Sequence, residues 1–241
     1  MNQASQPALD DQGCRTIHEA ALQLLEQTGC AVLDPEALGL LAAAGARVDG
    51  ERARFGEALV DRARSTAPAR YTVAGRRPEL DLHVGRGEPT VLASASGPPF
   101  VLADGLQRPG TLDDLVAAVR LAHLSPNIDV LGYSVEPTDV PEAARPRVVA
   151  HLHATASHKS ARFTVTSREE LRVATDVLEI LYGADWHERP RLWSVINTTS
   201  PLQFSAEGAQ VLLRLARLGQ PVLVAACAMG GTTAPITLAG L

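Results

Sequence analysis

The chain has 241 residues, of which 46% are hydrophobic, and a formal charge of −5; its mean hydropathy is +0.03. These totals suit a soluble globular chain with one large domain or two small ones. The modest, unclustered charge excludes a basic stripe for nucleic acid and a polybasic membrane anchor, and the longest apolar runs, such as Val222 to Ala228, are far too short to span a bilayer. Met1 to Gln12 is polar and lacks the apolar core of a signal peptide, so a cytoplasmic location is expected. Three cysteines, Cys14, Cys30 and Cys227, are odd in number and without metal-type spacing, which suits a reducing compartment.

Residues 1–14 read as a disordered leader and residues 15–89 as a small helical subdomain with a hairpin. Arg15 to Gln27 places Ile17, Ala20, Ala21, Leu24 and Leu25 on one helical face, with Gly29 where a C-terminal cap sits. Asp34-Pro35 opens a second helix, with an N-cap followed by proline in the first turn, and the apolar positions Leu38, Leu41 and Ala44 run to Gly45. A third helix covers Gly56 to Ser65. Tyr71-Thr72-Val73 and Leu80 to Val84 flank a polar, proline-containing turn and predict a hairpin.

From Thr90 the rhythm changes. Thr90 to Ala93 and Phe100 to Ala103 read as short strands. Thr111-Leu-Asp-Asp114 is a capping box opening a helix with Leu112, Leu115, Val116, Val119 and Ala122 inward. Ile128 to Val135 reads as a strand, Glu142 to Ser157 as a helix and Arg162 to Thr166 as a strand. Ser167-Arg-Glu-Glu170 is a second capping box, with Leu171, Ala174, Val177, Leu178 and Leu181 inward. A strand at Leu192 to Thr198, a helix at Ser205 to Leu218 with Leu212, Leu215 and Ala216 inward, and a buried strand at Val222 to Ala226 complete the series. Pro235 opens a further short helix.

Strands alternating with helices predict an α/β fold with a parallel sheet. The choice lies between a doubly wound sheet and a (β/α)₈ barrel. At about 30 residues per βα unit, residues 90–241 suffice for about five of eight units, which would make a barrel incomplete.

Loops after parallel strands carry the chemistry of such folds. Four stand out: Ser94 to Pro99, which includes Ser96; Tyr133-Ser134; Asn197 to Phe204, which includes Ser200; and Cys227 to Ala234, which includes Met229, Gly230, Gly231 and Thr232. All are small or hydroxylic with almost no charge, the lining of a pocket for a neutral or cationic organic ligand, although the same residues also simply make loops. Tyr133 and Phe204 could present an aromatic face to an alkylammonium, worth about 1–2 kcal/mol in a desolvated site, or could pack in the core. His151-Leu-His153, with His158 beyond, would share a metal if it lay on a strand, as in metal-dependent hydrolases. On a helix the first two diverge by about 200°, and the helix is the better fit to the connection required there. Cys227 reads as a small buried residue rather than a nucleophile, and Met229-Gly-Gly231 lacks the pattern of a phosphate loop.

Five segments in order, IHEAALQLLEQTGC, APARYTVAGRRPELDLHVG, RPGTLDDLVAAVRLAHLSPNIDV, INTTSPLQFS and ACAMGGTTAPITLAG, resemble the trimethylamine methyltransferase family from about Arg15 to Leu241. The resemblance implies a (β/α)₈ TIM-type barrel that takes a methyl group from a tertiary or quaternary amine, of trimethylamine or betaine type, and passes it to the Co(I) corrinoid (cobalamin) of a partner protein. It implies that no corrinoid is bound by this chain itself, and a homo-oligomer is expected for the full-length protein; nucleic acid and membrane are not expected as partners, on the composition given above. Ser96, Tyr133, Asn197, Ser200, Phe204, Met229, Gly230, Gly231 and Thr232 would face substrate or corrinoid. The family's pyrrolysine position belongs to the later part of the barrel and has no counterpart here, so no catalytic residue is assigned. Ending soon after the fourth loop, the chain is expected to be a fragment inactive alone. The alternatives are a non-catalytic amine-binding remnant and a metal-dependent hydrolase using His151 and His153.

Overall fold

The computed structural model describes residues 10–85, 87, 89–93, 97–159, 165–199, 201–226 and 228–237. They form a mixed α/β structure with seven α-helices and small sheets among the described residues. The chain divides into two compact units, residues 1–67, 199–209 and 228–241 in the first and residues 68–198 and 210–227 in the second.

In the first unit, α1 (Asp11–Gln27) begins four residues before the expected start because the Asp10 carboxylate accepts from Gly13 N–H and caps it. Gly29 sits at φ +69°, where a Cβ would lie 2.2 Å from the Ala53 carbonyl oxygen, so the helix ends on a residue that only glycine can supply. The orphan carbonyls of that last turn are met from elsewhere. Arg47, Arg52 and Arg54 donate to Glu26, Thr28, Gly29 and Gln27. These arginines lie on β2 (Arg47–Asp49) and β3 (Arg52–Arg54), which with β1 (Cys30–Val32) form one sheet around α2 (Pro35–Ala43), itself capped by Asp34. The apolar face expected on α1 is not covered: no α1 residue is buried, and Ile17 and Leu24 are 56% and 46% exposed. What fastens α1 is chiefly its C-terminal backbone, with Arg64 reaching His18. α3 (Glu57–Thr66) follows as expected.

The second unit opens with the expected hairpin, β4 (Tyr71–Val73) against β5 (Leu82–Val84). Phe100 to Ala103, expected as an independent strand, is instead one arm of a second hairpin. There β6 (Phe100–Ala103) pairs antiparallel with β7 (Leu106–Pro109) around Asp104 and Gly105, both at positive φ. α4 (Leu112–Leu124) starts at the expected capping box and buries Leu115, Val119 and Ala122. Ile128 to Val135 is not a strand but an extended segment with one bridge, Leu92 to Val130; Asp129 and Val130 N–H both turn to the Val91 carbonyl and the Tyr133 carbonyl accepts from Gly97, so no regular ladder forms among the described residues. α5 (Arg145–Ala156) is preceded by a 3₁₀ turn at Glu142–Ala144. Of the strand expected at Arg162 to Thr166, residues 162–164 lie outside the described residues.

α6 (Arg168–Tyr182) carries the second capping box, Ser167 with Glu170, and turns Leu171, Val173, Ala174 and Leu178 inward. β8 (Ser194–Thr198) follows. The short β9 (Gln203–Phe204) belongs to the first unit and pairs parallel with β1. α7 (Ala206–Arg217) buries Val211 and Leu215, whereas Ala216, expected inward, is exposed. β10 (Val222–Ala226) pairs parallel with β8 over five residues. The main core joins Leu171, Leu178, Trp186, Leu192, Ile196, Val211 and Leu215, each burial contributing about 1.5–3 kcal/mol relative to exposure. β10 was expected to be buried; Leu223 and Val224 are 42% and 45% exposed, because β10 has β8 as its only strand partner among the described residues. The turn expected to be helical after Pro235 is not helical at residues 235–237, and residues 238–241 lie outside the description. Among the described residues no helix is long and apolar enough to cross a membrane.

Candidate functional site

A cleft of about 1120 Å³ lies in the second unit, where the ends of several elements converge. Strand alternation builds one wall. On β8, Ser194 and Ile196 turn into the core, which leaves Val195 and Asn197 facing the cleft. The Ser194 hydroxyl donates to Val165 C=O at 2.7 Å and accepts from Val165 N–H at 3.3 Å, tying the neighbouring segment to β8 through a side chain.

Helix N-termini contribute further lining. Glu170 closes its capping box by accepting from Thr166 N–H, Thr166 Oγ1 and Ser167 N–H at 2.7–3.1 Å, and Thr166, Ser167 and Glu170 all line the cleft. Glu142 comes from the 3₁₀ turn before α5, and Arg145 and Arg147 from the start of α5. Arg145 forms an ion pair with Glu136 and donates to Val140 C=O at 3.0 Å. The Arg172 guanidinium beside Glu169 holds that carboxyl below its usual range. Of the four lining carboxylates, Glu136 is paired with Arg145 and Glu169 with Arg172, and Glu142 and Glu170 stand against Arg147, which leaves a small negative balance that suits a cation.

Tyr133 forms the aromatic side. It packs against the core of Leu115, Val119, Ala122 and Leu131. Burial first, then the charge of Glu136, pushes its phenol up to about 12, so it is neutral at physiological pH. The Tyr133 carbonyl accepts from Gly97 N–H at 2.7 Å, which brings residue 97 against the ring.

Of the sequence candidates, the structure brings Tyr133 and Asn197 into this one cleft. Phe204 lies in β9 in the first unit, its carbonyl accepting from Leu33 N–H at 3.0 Å. Met229, Gly230, Gly231 and Thr232 also belong to that unit. There the Met229 carbonyl accepts from the N–H groups of Thr232, Thr233 and Ala234 and from Thr232 Oγ1, so much of the turn's polar capacity is spent within the turn. Ser96, Ser200 and Cys227 lie outside the described residues. His151 and His153 fall on α5 and diverge, the first exposed and the second 1% exposed. Among the described residues no group of three or more His, Cys, Asp or Glu side chains could hold a metal ion.

The charged lining escaped the sequence reading, which sought small uncharged loops. Two signals pointed to it. The capping box at Ser167 places Glu170 at a helix start, and Glu142, Arg145 and Arg147 crowd the start of the helix that follows Tyr133; in such folds helix starts follow the strand ends that carry ligands.

The family Trimethylamine methyltransferase (MTTB) matches residues 2–241. Similar proteins include the glycine betaine methyltransferase of Desulfitobacterium hafniense, 30% identical across 96% of this chain and 49% of the relative. The proline betaine:corrinoid methyltransferase of Eubacterium limosum is 27% identical across 93% of the chain and 48% of the relative. The trimethylamine methyltransferase MttB of Methanosarcina thermophila is 27% identical across 94% and 49%. The chain spans about half the length of these relatives.

Proposed function

The chain belongs to the trimethylamine methyltransferase family, and from that premise we propose that it is the N-terminal portion of a corrinoid-dependent methyltransferase whose second unit holds a methylated amine. The observation that carries this reading is the cleft itself, which Tyr133, Glu136 and Asn197 line together. A methylated ammonium carries its charge under a shell of methyl groups, so it is recognised by an aromatic face and a diffuse negative field rather than by hydrogen bonds. Arg145, paired with Glu136, keeps that carboxylate in place, and Asn197 offers an amide to a polar substituent of the amine.

The partner's corrinoid would supply a Co(I) nucleophile to accept the methyl group. The residues of the cleft fit a division of labour in which this chain holds only the amine. Among the described residues the lining includes neither imidazole nor thiol, and its balance of charge is negative. What these residues contribute is orientation: Tyr133 fixes the nitrogen and its methyl shell, and the excess of carboxylates over guanidiniums in the cleft offsets the positive charge before transfer. The parallel β8–β10 pair, with helices connecting its strands, supports reading the second unit as part of a (β/α)₈ barrel.

Titration of the purified chain with trimethylamine and with glycine betaine, followed by addition of a Co(I) corrinoid protein, tests the reading. Saturable binding of either amine is expected, and absence of binding overturns it. Because the chain spans half the length of its relatives, the second reading is a binding segment, and binding without corrinoid methylation would favour it.

A further inference from the structure

Gly97 has no role in the lining chemistry above, yet it makes the closest approach to the aromatic wall. It lies at φ +53°, and a Cβ placed on it would stand 2.3 and 2.4 Å from Cδ1 and Cε1 of Tyr133, distances at which side-chain atoms cannot coexist. The approach is built in by the backbone. Gly97 N–H donates to the Tyr133 carbonyl at 2.7 Å and Glu136 N–H donates to the Pro98 carbonyl at 3.0 Å. Further along, Thr138 donates to the Gly110 carbonyl from both N–H and Oγ1, at 2.9 and 2.8 Å. The base of the β6–β7 hairpin is therefore stitched along residues 133–138, and the ring of Tyr133 has Gly97 on one side and its core neighbours Leu115, Val119 and Leu131 on another.

We propose that Gly97 is a positioning residue for the ligand site: its missing side chain is the slot that seats the Tyr133 ring as a wall of the cleft. The inference rests on the amine-binding reading for its consequence to function, but the seating of the ring stands apart from it. Any side chain at residue 97 drives the ring from its slot and moves the aromatic face away from the cation, with Glu136, three residues on, left facing a cleft of altered shape.

The test is a cycle of Gly97→Ala, Tyr133→Ala and the double variant, read by glycine betaine affinity and by ultraviolet titration of the tyrosines. Gly97→Ala is expected to weaken betaine binding about tenfold, with little further loss when it is added to Tyr133→Ala, since the ring is then already gone. It is also expected to bring the late Tyr133 ionisation to lower pH while circular dichroism at the same pH shows the variant still folded, which separates displacement of the ring from unfolding. Equal loss from Gly97→Ala in both backgrounds, or an unmoved Tyr133 ionisation, overturns the proposal. Should Gly97→Ala fail to fold, the double variant is expected to recover folding; a double variant that stays unfolded would place the fault in backbone strain and contradict the slot. If the parent binds no betaine, the amine reading falls, and the tyrosine titration still decides whether Gly97 seats the ring.

Discussion

At the scale of single residues, Tyr133 draws the most from its surroundings. Its phenol is pushed up to about 12 by burial and by Glu136, which raises its folded value above the ordinary one near 10. A group raised in this way contributes stability that is fully present below its unfolded value and is lost as pH rises through the folded value. In the tyrosine titration of the folded chain, the Tyr133 phenol is therefore expected to ionise last, near pH 12, behind Tyr71, which burial also pushes up, and Tyr133→Phe should remove that last phase alone. Survival of the last phase in Tyr133→Phe would contradict the placement of this ring. Tyr133 was legible in the sequence as an aromatic at the end of an apolar run. Its neighbours Glu136 and Arg145 were not, because a nine-residue separation across a loop has no periodicity from which their ion pair could be read.

At the scale of elements, local chemistry decides where helices begin. Thr111 and Asp114 bond reciprocally at the start of α4, and Asp114 also takes a bidentate contact from Arg108 at 2.6 and 2.8 Å. Thr111→Ala is expected to cost about 1 kcal/mol in a denaturant melt, the usual loss for an N-cap hydroxyl. The Arg108 guanidinium and the Thr111 bonds hold the Asp114 carboxyl well below the carboxylate range. Its stabilising effect is therefore present above the unfolded value near 4 and fades as pH falls below it. Asp114→Asn should flatten that acid limb, and an unchanged limb would contradict the role given to the capping box. These helices were legible because a cap and a 3.6-residue period are both local. The strand expected at Ile128 to Val135 was not, since β-type residues show only that a segment is extended, while pairing depends on distant residues such as Val91 and Gly97. For the same reason Phe100 to Ala103 declared itself extended without disclosing that its partner is the very next segment.

At the scale of the whole molecule, the alternation of β and α from Thr90 onward gave the α/β class, and its later strands, β8 and β10, do pair parallel. What the pattern could not convey is exposure. Leu223 and Val224 read as core residues because their composition is that of a strand covered on both faces, and they stand in solvent because a strand's burial depends on what lies beside it. The same holds for the cleft, whose carboxylates and aromatic ring come from segments that no linear motif joins. The central claim is that this cleft recognises a methylated cation by its charge as well as its shape. The most direct measurement is calorimetric titration of the chain with choline and with 3,3-dimethylbutan-1-ol, which has the same outline without the charge. Choline is expected to bind at least about tenfold more tightly, a difference of about 1.4 kcal/mol, and Tyr133→Ala to narrow the gap; equal affinities for the two compounds, or none for either, would contradict recognition by charge.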